Sequence, residues 1–477
     1  MRQPLSFSFA LLCSLAFFFF LPVSGQPVIN VSEHQLPDFR GVYAGNFSDV
    51  QFYYVSAEGV NAPLVLLTDD PFRISLDCYE GFTDSLALVT DDGEIPVTRV
   101  YVRLFPETTG NFQGAVLHQS EDAVSVEIQL SGSGIAITIP EGYYDGATGA
   151  GSVLKSQLNA IIRNHDVQSY ASLWTHFTVT DARFDGYVWD MYSDIPCDDP
   201  PYIYTFYEDQ DTGTGGAGEG DVYNREHSMP RSWFGGAVNP MNTDLYHIFP
   251  VDKYVNAVRD NYPFGEVDSP QHTFMNGAVL GPSVAGGYTG LAYEPIDAYK
   301  GDLARAFLYM VTRYENKLPG WENESEYGDA MFDYESYTGF QPWVIDMFIE
   351  WHENDPVSQK EILRNQAVYE IQGNRNPFVD HPEWVEKIWG DTTVHVMPNP
   401  EQGSHRIYPN PAKDLVQIET DSEILNVGVF AVNGALIKSA ERSGNSASLC
   451  LRVLPPGVYL VYINTTGGVI REKVFKK

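Results

Sequence analysis

Residues 223–234 read YNREHSMPRSWF and place one acid, one imidazole and two guanidinium groups within seven positions. The four side chains belong to Arg225, Glu226, His227 and Arg231. A carboxylate beside a histidine offers the two groups that hydrolysis most often needs, a ligand for a cation and an acceptor for a proton. A Glu-His pair on a strand is nevertheless more often structural than catalytic, so a second stretch has to support a functional interpretation.

The geometry of a strand limits how this pair can act. Successive strand residues point to opposite faces, so Glu226 and His227 converge on one site only where the strand ends, bends or bulges. Pro230 follows three residues later and favours a strand end. We therefore expect the strand to stop close to His227.

The second stretch, residues 244–261, reads DLYHIFPVDKYVNAVRDN. From residue 251 onward its apolar positions recur at helical spacing, while Asp252, Asn256 and Arg259 fall on another face. This pattern predicts a helix that projects the neutral oxygen of Asn256. A strand carrying Glu and His, followed by a helix carrying Asn, can supply a hard-oxygen metal site beside a general base.

The segment from about 143 to 390 resembles the endonuclease I family, which includes secreted bacterial DNases and extracellular ribonucleases and has the ββα-metal nuclease core. The resemblance implies an α+β nuclease domain rich in helix, to which we assign residues 143–395. It rests on an ordered series of motifs: WDMYSD at 189–194, NREHSMP at 224–230, DLYH at 244–247, VNAVR at 255–259, EP at 294–295, KGDLAR at 300–305 and QGNRNPFVDHP at 372–382.

The resemblance also implies a set of catalytic roles. Carried over residue by residue, the histidine base falls on His227, and the metal-binding acid and amide fall on Glu226 and Asn256. The implied cofactor is Mg²⁺, or another divalent cation such as Mn²⁺ or Ca²⁺. The implied products carry 5′-phosphate and 3′-hydroxyl ends.

Four further residues are candidates for supporting roles. Arg259 and Arg225 are placed to clamp a phosphate, although each has acids nearby with which it can pair instead. His247 either orients the catalytic histidine or is a structural histidine. Asp252 shares a helix face with the predicted metal-binding amide.

Residues 27–140 carry the signals of strands and turns. Period-two runs at 98–105 and 124–130 are separated by clusters of Gly, Asp, Asn and Pro. The pattern predicts an immunoglobulin-like β-sandwich, and it is similar to the modules that precede secreted bacterial enzymes. Its sequence leaves open whether it binds a polymer, a matrix or only the nuclease domain.

The two ends of the chain indicate export. Residues 1–25 have the basic, apolar and small-residue order of a signal peptide, whereas the alternative, a membrane anchor, requires a longer run. Near the other end the motifs IYPNPA at 407–412, LPPGVY at 454–459 and KVFKK at 473–477 occur in order. With these motifs, residues 406–477 resemble the C-terminal sorting domain of type IX secretion and predict a small β-sandwich. A linker rich in Pro and Asn occupies 396–405. We expect a secreted or cell-surface protein that engages the type IX machinery and has no membrane span in its mature form.

Three cysteines remain after the signal peptide, namely Cys78, Cys197 and Cys450. They are far apart in sequence and odd in number, which argues against a disulfide framework and against a cysteine-based zinc site. We expect all three to be structural or incidental.

The chain has 477 residues with 63 acidic and 29 basic side chains, for a formal net charge of -34. Its length predicts roughly three domains, and its charge excludes binding of nucleic acid through a broad basic surface. The sequence favours a secreted, metal-dependent, sequence-nonspecific endonuclease acting on DNA, RNA or both. The alternatives are a ribonuclease-preferring enzyme of the same fold and an inactive surface adhesion or binding protein.

Overall fold

A computed structural model describes residues 26–390 apart from 122, 137 and 138, and residues 405–477 apart from 414, 432–435, 442, 443, 453 and 467. The predicted signal peptide at 1–25, and the predicted linker at 396–405 except for its last residue, lie outside the described residues. The chain divides into two compact units, with the boundary between residues 392 and 393. Each unit is described by itself.

The first part of unit 1 consists of nine strands. They are β1 Val28–Val31, β2 Gly41–Tyr43, β3 Gln51–Glu58, β4 Leu64–Thr68, β5 Phe72–Ser75, β6 Ser85–Leu88, β7 Glu94–Leu104, β8 Gly110–Gln119 and β9 Val126–Ile135. They form a four-stranded sheet in the order β1-β3-β7-β5 and a five-stranded sheet in the order β2-β9-β8-β4-β6.

Side-chain alternation explains the core of this β region. Along β3 every second residue is buried, from Gln51 to Ala57, as expected for a strand with one face against a core. Apolar residues of both sheets, such as Val55 and Leu66, join one buried cluster. The predicted β-rich region is therefore present, while its assignment as immunoglobulin-like stays a prediction.

The rest of unit 1 combines helices with two small sheets. Its helices are α1 Gly151–Ile162, α2 Leu173–Thr180, α3 Lys253–Arg259, α4 Lys300–Arg313, α5 Glu326–Met331, α6 Pro342–Asn354, α7 Gln359–Gln372, α8 Pro377–Asp380 and α9 Glu383–Val385. Its strands are β10 Tyr223–His227, β11 Ile248–Asp252, β12 His272–Thr273, β13 Val279–Pro282 and β14 Leu291–Glu294.

Helix α4 forms the centre of this region. All fourteen of its residues are buried, and its apolar residues join a single core that also includes residues of α1 and α6. Long segments without helix or strand, such as residues 181–222, connect the elements. The helical content is consequently modest, which corrects the expectation of a domain rich in helix.

A disulfide joins the β region to the helical region, which the spacing and odd number of the cysteines argued against. Cys78 and Cys197 form a disulfide across 119 positions of sequence, with their Cα atoms 5.8 Å apart. Cys450 is free and exposed. Sequence separation misled the prediction because the two cysteines lie on loops that meet only when the two regions pack together.

Two polar contacts reinforce the same contact surface. Arg99 of β7 pairs with Asp198, next to the disulfide, at 2.7 Å. The Gln359 side chain, at the start of α7, accepts from the Tyr43 N–H and donates to the Gly41 carbonyl, both at 3.1 Å. The helical region thus extends the backbone hydrogen bonding of β2.

Unit 2 is a small β domain of seven strands. They are β15 His405–Tyr408, β16 Leu415–Thr420, β17 Ile424–Ala431, β18 Leu436–Glu441, β19 Ser446–Cys450, β20 Gly457–Thr465 and β21 Gly468–Lys476. Two sheets, β15-β16-β19 and β18-β17-β20-β21, enclose a core that includes Val416 and Val461. Among the described residues of the whole chain, no helix has both the length and the apolar character needed to cross a bilayer.

Candidate active site

The predicted site forms around a strand–strand–helix unit. Strands β10 and β11 pair antiparallel, with His227 opposite Ile248 and Tyr223 opposite Asp252, and α3 follows directly. The Asp252 carboxylate starts α3 by accepting from the Val255 N–H at 2.7 Å, a standard N-cap. The predicted helix therefore begins two residues later than its apolar spacing suggested, because residues 251 and 252 still belong to β11.

Strand β10 ends at His227, as the position of Pro230 predicted. Side chains alternate along it, so Asn224 and Glu226 point to one face while Arg225 and His227 point to the other. All four nevertheless line one cleft of about 650 Å³. Consecutive residues of β10 therefore line the same cleft, in the last four positions of the strand.

Glu226 is held in a fixed orientation from within the protein. Its side chain is buried, and its Oε1 accepts from the Tyr192 hydroxyl at 2.9 Å and from Arg259 Nη1 at 2.8 Å. Burial raises the pKa of this carboxyl, and the Arg259 charge opposes that rise. Both of these hydrogen bonds fall on Oε1, and within the part of the chain that the structure describes Oε2 accepts no hydrogen bond.

Arg259 does not face the cleft. It is fully buried, and besides Glu226 it donates to the His227 carbonyl at 3.3 Å and to the Ser228 carbonyl at 2.7 Å. Its guanidinium carbon also lies 4.5 Å from the centre of the Phe264 ring. This geometry does not support the expected phosphate clamp, since the charge of Arg259 is committed to protein groups.

His227 is buried and held in one tautomer. Its Nε2 lies 3.1 Å from the carbonyl oxygen of Asn242, so Nε2 carries the proton and Nδ1 keeps its lone pair. The ring stacks against Tyr170 at 6.0 Å, with an interplanar angle of 23°. Burial, followed by the neighbouring His247, holds the pKa of His227 well below its usual value. The ring is therefore neutral near pH 7 and can accept a proton.

Asn256 projects from α3 into the same cleft. Its Nδ2 donates to Asn224 Oδ1 at 2.8 Å, which leaves the Asn256 carbonyl oxygen as the free end of the amide. Glu226 and Asn256 thus both line the cleft, and their side-chain oxygens are of the hard type that Mg²⁺ prefers. In the described part of the chain no group of three or more His, Cys, Asp and Glu side chains is arranged to hold a metal.

The other expected supporting residues divide between the cleft and the interior. Arg225 lines the cleft. His247 is fully buried with Nε2 at 2.7 Å from the Met241 carbonyl, and its ring lies 5.5 Å from that of His227. Asp252 is buried too, and besides capping α3 it accepts from the Gly220 N–H at 2.7 Å. Both residues lie in the protein interior, where His247 is next to His227 and Asp252 caps the helix that carries Asn256.

Sequence reasoning missed several residues that shape the cleft. Tyr170 and Trp174 line it, and Tyr192 and Asn242 orient its catalytic groups through hydrogen bonds. All except Trp174, which lies in α2, come from segments without regular secondary structure, or from a short 3₁₀ turn. Of these four residues, only Tyr192 could have been found from the sequence, because it belongs to the WDMYSD motif.

A strand pair and a helix that bring an acid, a neutral histidine and an amide to one cleft define a hydrolase site suited to a phosphodiester. Comparisons with known proteins agree with this class. The family model "Endonuclease I" matches residues 150–383, and the model "Secretion system C-terminal sorting domain" matches residues 406–477.

Individual relatives support the same conclusion. The extracellular ribonuclease of Bacillus amyloliquefaciens is 34% identical over 256 residues, covering 52% of this chain and 78% of that protein. The extracellular ribonuclease of Bacillus subtilis (strain 168) is 34% identical over 255 residues with the same coverage. An extracellular deoxyribonuclease of Aeromonas hydrophila is 25% identical over 142 residues, covering 30% of this chain and 51% of that protein.

The chain belongs to the endonuclease I family. It is a nuclease, a hydrolase of the phosphodiester bonds of nucleic acids, and its C-terminal unit is a type IX sorting domain. The sorting domain and the extracellular relatives make it a secreted or cell-surface protein.

Proposed function

We propose that this protein is a sequence-nonspecific, metal-dependent endonuclease in which His227 is the general base and Glu226 and Asn256 hold one divalent cation, most simply Mg²⁺. One observation carries the proposal. A buried, neutral histidine shares a cleft with a carboxylate oxygen and an amide oxygen, and among the described residues neither His227 Nδ1 nor these two oxygens has a hydrogen-bond partner.

The donor set suits the proposed cation. Mg²⁺ prefers oxygen ligands, and it commonly uses one or two protein groups while waters and substrate phosphates complete its shell. Glu226 contributes one charged oxygen and Asn256 one neutral oxygen. A cation bound there would supply positive charge to a non-bridging phosphate oxygen and to the departing 3′ oxygen.

The remaining chemistry belongs to the protein. Water attacks phosphorus in line with the 3′ oxygen, and Nδ1 of His227 takes one proton of the attacking water. The bond from phosphorus to the 3′ oxygen breaks, and a solvent water protonates that oxygen to give the 3′-hydroxyl. The products carry a 5′-phosphate and a 3′-hydroxyl. Arg259 is a positioning residue in this scheme, because it neutralises and orients Glu226 from the interior.

The names of the relatives only partly indicate whether DNA or RNA is the substrate. The two relatives that are 34% identical over most of their length are named ribonucleases, and those near 25% are named deoxyribonucleases or an endonuclease. We propose that both polymers are substrates. A preference for RNA is the second candidate, favoured by the higher identity to the ribonucleases.

Supercoiled plasmid and structured RNA, each incubated with the protein lacking residues 1–25 in Mg²⁺ or in EDTA, test the proposal. Degradation in Mg²⁺ and none in EDTA is expected, with 5′-phosphate ends on the products. The ratio of the two initial rates gives the polymer preference. No cleavage of either polymer by folded protein in Mg²⁺ would overturn the proposal in favour of an inactive binding protein.

A further inference from the structure

We propose that Arg225 binds a backbone phosphate of the substrate next to the phosphate that is cleaved, and that Tyr170 and Trp174 hold it ready to do so. This inference rests on the proposed function, since it assigns a substrate contact to the same cleft. Of the two arginines that the sequence offered as phosphate clamps, it retains Arg225, which lines the cleft, and not the buried Arg259.

Two aromatic rings fix the Arg225 guanidinium. Its central carbon lies 3.7 Å from the centre of the Tyr170 ring and 4.3 Å from the centre of the Trp174 ring. Its Nη1 donates to the Tyr170 carbonyl at 2.8 Å. A planar guanidinium stacks in this way, whereas an ammonium cannot. The side chain is thus ordered before any ligand arrives, which lowers the entropy cost of binding.

The unused donors of Arg225 point to an anion. Only Nη1 has a protein acceptor among the described residues, so Nε–H and one whole amino group remain. Neither Nε nor Nη2 is among the buried unpartnered atoms, so neither is sealed in the interior, and the residue itself lines the cleft. The Nε and Nη2 edge is the fork that binds two oxygens of a phosphate at once.

The charge of Arg225 forms no direct ion pair in the part of the chain that the structure describes. Among the described residues no carboxylate lies within ion-pair distance of it, although Asp211 lines the same cleft and pairs with Lys253 at 2.9 Å. Other desolvated arginines of this chain are paired, such as Arg364 with Asp181 and Arg375 with an aspartate five residues away. The two aromatic rings and one carbonyl offset only part of the cost of burying this cation, and an anionic ligand would supply the opposite charge.

Arg225 lies beside the proposed reaction centre because of its position in β10. Arg225 and His227 are two residues apart on β10, which puts them on one face about 6.6 Å apart. The ring of Tyr170 lies against both of them. A separation of this order is comparable to one backbone repeat of a nucleic-acid strand, so Arg225 meets a neighbouring phosphate and not the scissile one.

Arg231 adds a second cation at the same rim. It is exposed, lines the cleft, and has its guanidinium carbon 5.7 Å from the Tyr170 ring centre. No ion pair engages it within the described residues. The cleft therefore presents two unpaired guanidinium groups in a chain with more than twice as many acids as bases.

The experiment uses Arg225→Gln, Arg225→Lys and, as a matched control, Arg163→Gln, which removes an exposed arginine outside the cleft. A dye-labelled single-stranded RNA and its DNA counterpart serve as substrates. Steady-state rates are measured in Mg²⁺ at several salt concentrations, together with the melting temperature of each variant.

For Arg225→Gln we expect a fall of about 10- to 100-fold in kcat/KM, mainly through KM. The slope of log kcat/KM against log salt should become more positive by about 0.7, which corresponds to the loss of one phosphate contact. Arg225→Lys should keep the salt slope and lose part of the affinity, and Arg163→Gln should match the wild type.

Two results would overturn the inference while leaving the proposed function intact. One is an Arg225→Gln variant with unchanged KM and salt slope. The other is an Arg225→Gln variant that loses activity and melts at a lower temperature but keeps the wild-type salt slope. That combination would show that Arg225 has a structural role and does not contact a phosphate. A wild-type protein that cleaves neither substrate overturns the proposed function itself, and this inference with it, before any variant is compared.

Discussion

Glu226 and His227 are neighbours in sequence, yet the protein gives them opposite surroundings. Glu226 faces a tyrosine hydroxyl and a buried guanidinium, whereas His227 faces a backbone carbonyl and an aromatic ring. The residue types and the strand end beside Pro230 were predictable from the sequence. The partners Tyr192 and Asn242 were not, because they come from distant segments without a periodic pattern.

Removal of the Tyr192 hydroxyl tests directly whether the orientation of Glu226 matters. Tyr192→Phe deletes one donor to Glu226 Oε1 and leaves the ring in place, so Glu226 is less firmly oriented toward the cleft. We expect the Mg²⁺ concentration for half-maximal activity to rise about 10-fold, as is typical when a group supporting a metal ligand is lost. A Mg²⁺ titration of the initial rate measures this.

The matched control is Tyr288→Phe, which removes a hydroxyl bonded to the Leu291 carbonyl outside the cleft. Each of the two substitutions should cost about 1 kcal/mol of stability, as expected for one hydrogen bond. An unchanged Mg²⁺ titration in Tyr192→Phe would show that this hydroxyl does not support the site.

Among the elements, the amphipathic helices were the most predictable. Apolar residues recur at helical spacing at 154–162, 303–311 and 343–351, a pattern that predicts helices, and α1, α4 and α6 lie there. The start of α3 was misplaced because an apolar strand and an apolar helix follow each other without a break at residues 248–255. Periodicity alone cannot separate the two when the strand is buried on both faces.

Helix α6 makes a contact whose pH dependence can be measured. His352, near its end, accepts from Arg305 of α4 through Nδ1 at 3.2 Å, and its Nε2 lies 3.1 Å from the Pro382 carbonyl. Burial, followed by the Arg305 charge, lowers the pKa of His352 to about 4. The folded protein therefore keeps this ring neutral at a pH where the unfolded chain protonates it.

Because folding lowers the pKa of His352, its contacts contribute their full share of the unfolding free energy above about pH 6.5. This contribution is lost as the pH falls toward 4. His352→Gln keeps a donor and an acceptor but does not titrate. We expect the wild type to lose up to about 3 kcal/mol more unfolding free energy than this variant between pH 7 and pH 4. Urea unfolding at each pH measures it, and parallel losses in both proteins would refute the assignment.

On the scale of the whole molecule, the link between the β region and the nuclease region was the main surprise. The sequence shows two cysteines 119 positions apart and no sign that their loops meet. Such contacts depend on how two separately folded layers pack, which local patterns do not encode. Export to an oxidising compartment is consistent with the bond.

Cys78→Ser combined with Cys197→Ser should lower the stability of the exported protein by about 2–5 kcal/mol, because the disulfide restricts the unfolded chain. The measurement is the midpoint of guanidinium unfolding. Cys450→Ser is the matched control, since that cysteine is free and exposed, and it should leave the midpoint unchanged. Equal midpoints for all three proteins would mean that the disulfide does not stabilise the fold.

The net charge of -34 also makes a prediction for the whole chain. Long-range repulsion between this protein and nucleic acid weakens as salt shortens the screening length to about 8 Å at 0.15 M. We expect nuclease activity to rise or hold between low and physiological salt. A steep loss over that range, as basic nucleic-acid-binding proteins show, would contradict the view that only a few local cations contact the substrate.

The most direct test of the account compares cleavage rates of the wild type and His227→Ala, both lacking residues 1–25, in saturating Mg²⁺. His34→Ala, an exposed histidine in the β region, is the matched control. The account predicts a loss of about 10²- to 10⁴-fold in His227→Ala with the melting temperature largely kept, and no loss in the control. A folded His227→Ala protein that cleaves within a few-fold of the wild-type rate would contradict the assignment of His227 as the general base.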